Sequence, residues 1–321
     1  MNKNASLMFS AVSFEDRCII GPERFIQAGG NPSALYIARL PDNSSQMLFN
    51  IKLLEKSGLR VFHDVDRMNS RALWEWVWAR VSNVSGDVII DATCLPRELL
   101  GMILFALSVR RDRLGRIEVC YTSAPKEVTG GYATQNKDLR DDQRWLSKGV
   151  VAIRSILGFP GDFSSEKKRH VIAFAGHEFD RMLQVVEFLE PNIVSVSNEQ
   201  ENTSTVNGAA VISADVATKL RDKIAEPIIR PVKFSANSID ETFKGLGELK
   251  LNASLENIAL IAMNTKLSFI GAALFALHRR KVRMMYAVPE IYNPLYCVGA
   301  GEFKVHDITE KLKTSATTQA R

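Results

Sequence analysis

The sequence predicts an α/β fold in which two parallel-sheet domains are related by internal duplication. The chain has 321 residues, enough for two domains with full cores. Short runs rich in Val and Ile alternate with segments of helical spacing, which is typical of parallel strands joined by helical crossovers. One segment also occurs twice, as GMILFAL at 101–107 and as GAALFAL at 271–277.

The first half alternates strand and helix signals from its beginning. Apolar runs of strand length predict five strands, at 7–12, 34–39, 59–65, 87–90 and 116–122. Helix-compatible spacing between them predicts helices at 15–27, 44–57, 69–81 and 96–110. This is the element order of a Rossmann-like domain.

The second half repeats this plan. We predict strands at 170–175, 193–196, 228–234, 258–263 and 282–288, with a further strand at 302–305. Helices are predicted at 178–189, 215–225, 239–249 and 267–279. The polar segment 133–169 lies between the halves, so we place Rossmann-like domains at 1–165 and 166–313, followed by a disordered tail at 314–321.

Composition excludes several classes of protein. Hydrophobic residues make up 46% and charged residues 24% of the chain, which is globular rather than disordered composition. The net charge of +5 is compatible with a small anionic ligand, and direct nucleic-acid binding is the lesser expectation. The N-terminal apolar run 7–12 is too short for a signal-peptide core, and the longest apolar run, 99–109, is far below the length of a membrane span. The four cysteines form no C-x-x-C pair. We expect a cytoplasmic protein with reduced thiols and no membrane association.

Motifs for common catalytic chemistry are missing from the sequence. The five histidines show no metal-ligand spacing, and there is neither a G-x-S-x-G elbow nor a complete G-x-G-x-x-G fingerprint. We therefore expect no metal and no cofactor. An NAD dehydrogenase, a serine hydrolase and a zinc enzyme are all disfavoured.

Candidate site residues follow the first predicted strand of each half. Ligands of open parallel sheets bind beyond the carboxyl ends of the strands, where the strand order reverses. Ser13 and Arg17 occupy this turn in the first half, and His177 and Arg181 in the second. An ordinary helix start, with a capping Ser and acidic residues, explains the first turn equally well.

The turn after the fourth strand supplies a second set of candidates. In the first half, Thr93 and the free amides of a helix start could hold an anion, and Arg97 would add donors suited to phosphate. Asn264, Thr265 and Lys266 stand at the equivalent place in the second half. The alternative interpretation is a plain helix start with a surface cation.

Loops after the fifth strands could cover such a site. The loop of the second half carries Tyr292, whose ring could stack on a base. Packing of these loops by their own tyrosines is the alternative.

The second half resembles the CARF domains of CRISPR-linked proteins. The resemblance rests on the strand at 258–263, on the Asn264-Thr265-Lys266 turn and on the small-residue helix that contains Gly271-Ala-Ala-Leu. A looser version occurs in the first half, at Asp91, Thr93, Arg97 and Gly101. Two such domains in one chain look like the SAVED sensors of antiviral systems. The resemblance implies a sensor of cyclic oligonucleotides that signals to a protein partner carrying the effector activity.

Three hypotheses of function remain open at this stage. The leading one is a sensor that binds a nucleotide-derived anion in a cleft between the two domains. The rival is an enzyme acting on a nucleotide or phosphosugar, with Glu15, Asp16 or Asp91 as acid or base. The third is a scaffold subunit without a ligand.

Overall fold

The computed structural model has an α/β architecture with two six-stranded, mostly parallel sheets. It describes residues 1–39, 44–59, 62–124, 146–174, 178–197, 228–232, 237–294 and 299–313, together with 220, 224, 235 and 297. The helix predicted at 215–225 lies almost entirely outside the described residues, as does the tail at 314–321.

The described elements follow the predicted alternation closely. The strands are β1 (Leu7–Val12), β2 (Leu35–Arg39), β3 (Phe62–Asp64), β4 (Gly86–Asp91), β5 (Leu114–Thr122), β6 (Ser147–Pro160), β7 (Lys168–Phe174), β8 (Ile193–Ser197), β9 (Ile228–Val232), β10 (Glu256–Ala262), β11 (Val282–Tyr292) and β12 (Phe303–Asp307). The helices are α1 (Ile20–Gln27), α2 (Ser45–Lys56), α3 (Ser70–Val81), α4 (Arg97–Val109), α5 (Phe179–Leu189), α6 (Ile239–Glu248) and α7 (Lys266–His278).

Both sheets have the same strand order. The first sheet runs β12-β5-β4-β1-β2-β3, and the second runs β6-β11-β10-β7-β8-β9. Within each set of five parallel strands the order is therefore fifth, fourth, first, second, third, and one antiparallel strand pairs with the fifth. The order reverses between β1 and β4 in one sheet, and between β7 and β10 in the other.

The division of the chain differs from the predicted one. One compact unit, unit 1, comprises Met1–Glu127 and Cys297–Arg321, and the other, unit 2, comprises Val128–Tyr296. The boundary does not fall at residue 165 because the segment predicted to link the halves contains β6, which pairs with β11 of unit 2. The terminal strand β12 pairs instead with β5 of unit 1.

The repeated apolar segments form the two most buried helices. Most residues of α4 and nearly all of α7 are buried, which fits helices that are apolar on every side. Gly271 of α7 lies so close to α6 that an added Cβ would stand 2.6 Å from the carbonyl oxygen of Ile239. The glycine in the repeated segment therefore permits close helix packing.

Each outer edge of the two sheets carries a feature that discourages further strand pairing. The edge strand β3 has only three residues, and β9 contains Pro231, which cannot donate a ladder hydrogen bond. Two irregularities interrupt the pairing of the long strand β6 with β11. The short strand β12 carries the exposed Lys304.

Among the described residues, no helix combines the length and the apolar character that a membrane crossing requires.

The packing of α7 against α6 predicts a difference between two Gly→Ala substitutions. Gly271→Ala should destabilise unit 2 by about 1–3 kcal/mol, because its methyl group would overlap backbone and the Thr242 side chain. Gly247→Ala in α6 is the matched control, since an added Cβ there meets nothing within 4 Å and should stabilise the helix by about 0.5–1 kcal/mol. Urea unfolding followed by circular dichroism measures both. Equal stabilities of the two variants would contradict the close packing.

Candidate functional site

The carboxyl edge of unit 1 is filled by its own side chains. The reversal between β1 and β4 brings together the turn that contains Ser13, Glu15 and Arg17 and the turn that begins at Asp91. The side chains of Ser13, Glu15, Arg17, Asp91, Thr93 and Arg97 are at most 8% exposed, whereas that of Asp16 is half-buried. The predicted site residues of this unit are thus brought together, but they pack on each other.

Arg17 forms a buried ion pair with Glu15. The two side chains approach to 2.6 Å, and Arg17 Nη1 also donates to the backbone oxygen of Thr122, 3.0 Å away. Its guanidinium lies 5.8 Å from the ring centre of Tyr121. Because β4 separates β1 from β5 in the sheet, Arg17 reaches across the carboxyl end of β4 and bridges the crevice at the reversal.

Asp91 is held by three hydrogen bonds inside the same edge. Its carboxylate accepts from Ser10 Oγ at 2.9 Å, from the Thr93 amide at 3.1 Å and from Thr93 Oγ1 at 2.5 Å. Burial raises the pKa of Asp91, against the opposing effect of these hydrogen bonds and of Arg17. A side chain at Gly21 would collide with this carboxylate, so α1 closes over it. Asp91 therefore anchors the turn and is enclosed.

Thr93 and Asp16 are engaged in similar internal bonds. Thr93 Oγ1 accepts from the Thr122 amide at 3.0 Å, so the hydroxyl ties β4 to β5. The two carboxylate oxygens of Asp16 accept from Gln46 Nε2 at 2.9 Å and from the Gly299 amide at 3.0 Å. These bonds hold the turn after β1 against α2 and against the segment that precedes β12.

Unit 2 contains a second buried ion pair of the same kind. Arg181 pairs with Glu178 and donates to the backbone oxygen of Ala287. Its guanidinium lies 5.4 Å from the ring centre of Tyr286. Burial lowers the pKa of Arg181, but Glu178, Tyr286 and Tyr292 together raise it by more, so the net shift is upward. The guanidinium therefore remains charged.

The two ion pairs share one geometry. Each links the turn after the first parallel strand to the backbone oxygen of the residue that follows a Tyr on the fifth strand. In unit 2, β10 lies between β7 and β11, so Arg181 bridges its crevice as Arg17 bridges the crevice of unit 1. We predicted both arginines as ligand-binding residues, and the structure places both in internal pairs.

Tyr292 lies beside this pair. Its hydroxyl is 3.4 Å from that of Tyr286, and burial of the hydroxyl raises the pKa of Tyr292 well above its ordinary value. The phenol therefore stays neutral over the physiological pH range. His177, another predicted site residue, lies outside the described residues.

The start of α7 is the accessible part of the predicted site. Asn264, Thr265 and Lys266 are all half-exposed. Thr265 caps the helix, since its hydroxyl accepts from the Ser268 amide at 3.2 Å. The positive end of the helix dipole and the Lys266 charge both favour an anion at this position.

Several residues of the two edges escaped the sequence analysis. Glu178, Ser10 and Ser147 were not among the predicted site residues, yet each makes a buried or partly buried hydrogen bond to one of them. The signal for Glu178 was its spacing of three residues from Arg181. Within the described residues, no group of three or more His, Cys, Asp or Glu side chains could hold a metal ion.

Comparison with known proteins adds no assignment. The sequence matches no protein-family model, no curated protein and no solved structure.

The bridge in unit 1 predicts an asymmetry between single and double substitutions. Arg17→Met should cost about 3–5 kcal/mol, because it leaves the Glu15 carboxylate buried and unpaired. Glu15→Gln combined with Arg17→Met removes both charges and should restore much of that stability. Urea unfolding of the two variants measures the difference. If Arg17→Met left the stability unchanged, the ion pair would not stabilise unit 1.

Buried cysteines around this edge predict low thiol reactivity. Burial raises the pKa of Cys18 to about 12, and it also raises those of Cys94 and Cys120. At pH 8 only about one Cys18 thiol in ten thousand would be ionised. The Cys297→Ser variant retains only these three thiols. We expect them to react with Ellman's reagent far more slowly in the folded protein than in guanidinium, where the chain is unfolded. Fast reaction of the folded variant would contradict this burial.

Proposed function

We propose that this protein is a sensor that binds a nucleotide-derived anionic ligand at the carboxyl edge of the unit 2 sheet. Cyclic oligonucleotides are the leading candidates, because this segment resembles CARF domains. The observation that carries the proposal is the half-exposed Asn264-Thr265-Lys266 turn, at the start of a helix of 13 residues. This turn follows β10, one of the two strands between which the order reverses.

The charges around this turn are compatible with an anion. Thr265 and the first-turn amides would contact phosphate oxygens, and Lys266 would supply a compensating charge. Glu178, an acidic residue of the same edge, is already paired with Arg181 in a buried ion pair. That carboxylate therefore offers little net repulsion to a phosphate.

The carboxylates that we predicted as acid or base are engaged in internal bonds, which supports ligand binding without turnover. Glu15 is paired with Arg17, and Asp91 is enclosed beneath α1 and hydrogen-bonded on both oxygens. A general acid or base must reach the proton that it transfers. Asp16 is half-buried, and both of its carboxylate oxygens already accept hydrogen bonds. The state of the three carboxylates therefore favours a sensor over the enzyme in which one of them acts.

We also propose that the two units arose by duplication of one domain. Three features support this: the identical strand order, the repeated helix segment and the ion pair that bridges each crevice. The turns after the fourth strands differ between the units in their exposure to solvent. Thr93 and Arg97 of unit 1 are buried, whereas the equivalent turn of unit 2 is half-exposed, so we assign ligand binding to unit 2.

The resemblance to CARF and SAVED sensors extends the proposal to a biological role. Sensors of these families act in antiviral defence. In this role, ligand binding would pass a signal to a protein partner that carries the effector activity.

A thermal-shift panel tests ligand binding directly. We expect one of a set of cyclic di-, tri- and tetranucleotides, linear nucleotides and phosphosugars to raise the unfolding temperature in a concentration-dependent manner. A ligand at a hundred times its Kd should add about 2.7 kcal/mol of stability. The ligand should be recovered intact by chromatography, because its consumption would instead support the enzyme.

Substitution of Lys266 tests the position of the site. Lys266→Ala should weaken binding about 10-fold to 100-fold through loss of a charge-assisted contact. Lys244→Ala, at an exposed position of α6 in the same unit, is the matched control and should leave affinity unchanged. Equal affinities of the two variants would overturn this position of the site. If no compound of the thermal-shift panel raises the unfolding temperature, the result would favour a scaffold subunit without a ligand.

A further inference from the structure

The opposite, amino edge of the unit 2 sheet carries a concentration of unpaired positive charge. The parallel strands β7, β10 and β11 all begin at this edge. Four exposed cationic side chains here form no ion pair with any residue that the structure describes: Lys168, Arg279, Arg280 and Lys281. These charges are available to an external partner.

The acidic groups at the same edge are mostly engaged with other partners. Asp162 pairs with Lys167 at 3.4 Å, and Glu190 pairs with Arg169 at 3.3 Å. Glu256 lies 3.0 Å from His170. Glu166 and Glu248, the last residue of α6, add two exposed carboxylates at this edge, so its unpaired charge remains positive.

Exposed apolar side chains lie beside the cationic segments. Phe163 is 54% exposed and Leu255 is 65% exposed. A backbone hydrogen bond of 3.3 Å from Asp162 to Lys281 holds the Phe163 segment beside the basic segment that precedes β11. Another, of 3.1 Å from Lys168 to Leu255, joins the second apolar side chain to the start of β7.

Phe163 is held in a defined orientation. The guanidinium of Arg283 lies 5.3 Å from its ring centre, and Arg283 Nε donates to the backbone oxygen of Pro160 at 2.8 Å. Gly161 allows this approach, because it has φ of +65° and an added Cβ would meet Arg283 at 2.7 Å. The loop thus presents a fixed aromatic ring whose remaining surface is exposed.

We propose that this amino-edge surface, defined by Lys168, Arg279, Arg280, Lys281, Phe163 and Leu255, binds single-stranded nucleic acid. Cations along a backbone track and an aromatic ring for stacking are the two elements of sequence-independent single-strand recognition. Duplexes offer phosphates but no unstacked base to Phe163. An anionic membrane would require a more continuous apolar surface than single side chains separated by cations.

The ordinary explanation of the basic residues covers only part of this surface. Arg279 is the C-cap of α7, where a cation is stabilised by the helix dipole. The dipole does not account for Lys168 at the start of a strand, nor for the exposed ring of Phe163 beside Lys281. This surface lies at the edge opposite the proposed ligand turn, so the two proposals stand or fall separately.

Fluorescence anisotropy with labelled oligothymidylate of about 20 nucleotides tests the proposal. We expect binding at low salt. The variant Arg279→Gln, Arg280→Gln, Lys281→Gln should lose at least about tenfold in affinity, and its log–log salt slope should fall by about 2, at roughly 0.7 per phosphate contact. The control variant Lys52→Gln, Lys56→Gln, Arg113→Gln removes the same charge from exposed positions of unit 1 and should change affinity less than about twofold.

Phe163 separates base stacking from plain electrostatics. Phe163→Ala should weaken binding at least about fivefold, and Phe163→Tyr should retain it, because tyrosine still stacks. Absence of binding, equal losses in the two triple variants, or duplex DNA or polyglutamate competing as well as oligothymidylate would each overturn the proposal. Full affinity of Phe163→Ala would also overturn it.

Discussion

The buried ion pair that crosses each reversal point is the interaction on which the arrangement of both sheets depends. In a parallel α/β sheet the crevice at the reversal is where ligands usually enter. Here Arg17 spans the end of β4 and Arg181 spans the end of β10, each anchored to a carboxylate on one side and to a backbone oxygen on the other. The first, fourth and fifth strands of each unit are thereby joined at their carboxyl ends.

The polar groups at the same edge as this bridge differ in exposure between the two units. In unit 1, Asp91 and Thr93 complete a closed polar network beneath α1, and the edge becomes part of the core. In unit 2, the first turn of α7 is half-exposed at Lys266. Two units of the same strand order can therefore differ in which of them keeps accessible polar groups at this edge.

The sequence alone predicted the regular elements well because their signals are local. The strand Leu7–Val12 was predicted at its observed bounds, and α3 and α7 within one residue. The strand β6 was missed because Gly149 and Gly158 interrupt its apolar run and no repeat marks it. Its place in the sheet depends on pairing with β11, far away in the sequence.

The sequence predicted which residues lie at the candidate site but not which partners they bond to. Local turn chemistry pointed to Arg17 and Arg181, whereas their bonds to Thr122 and Ala287 join residues about one hundred positions apart. No short-range pattern encodes such a partner, and the same residues could have faced solvent. Exposure separates a binding arginine from a structural one, and exposure is set by the tertiary fold.

The pairing of β12 with β5 has a consequence for synthesis of the chain. Unit 2 is inserted between two parts of unit 1, so the sheet of unit 1 lacks β12 until the whole of unit 2 has left the ribosome. At 5–20 residues per second, the intervening segment takes roughly ten to thirty seconds to appear. During that interval the apolar strand β5 has an open edge, and open strand edges expose a nascent chain to aggregation.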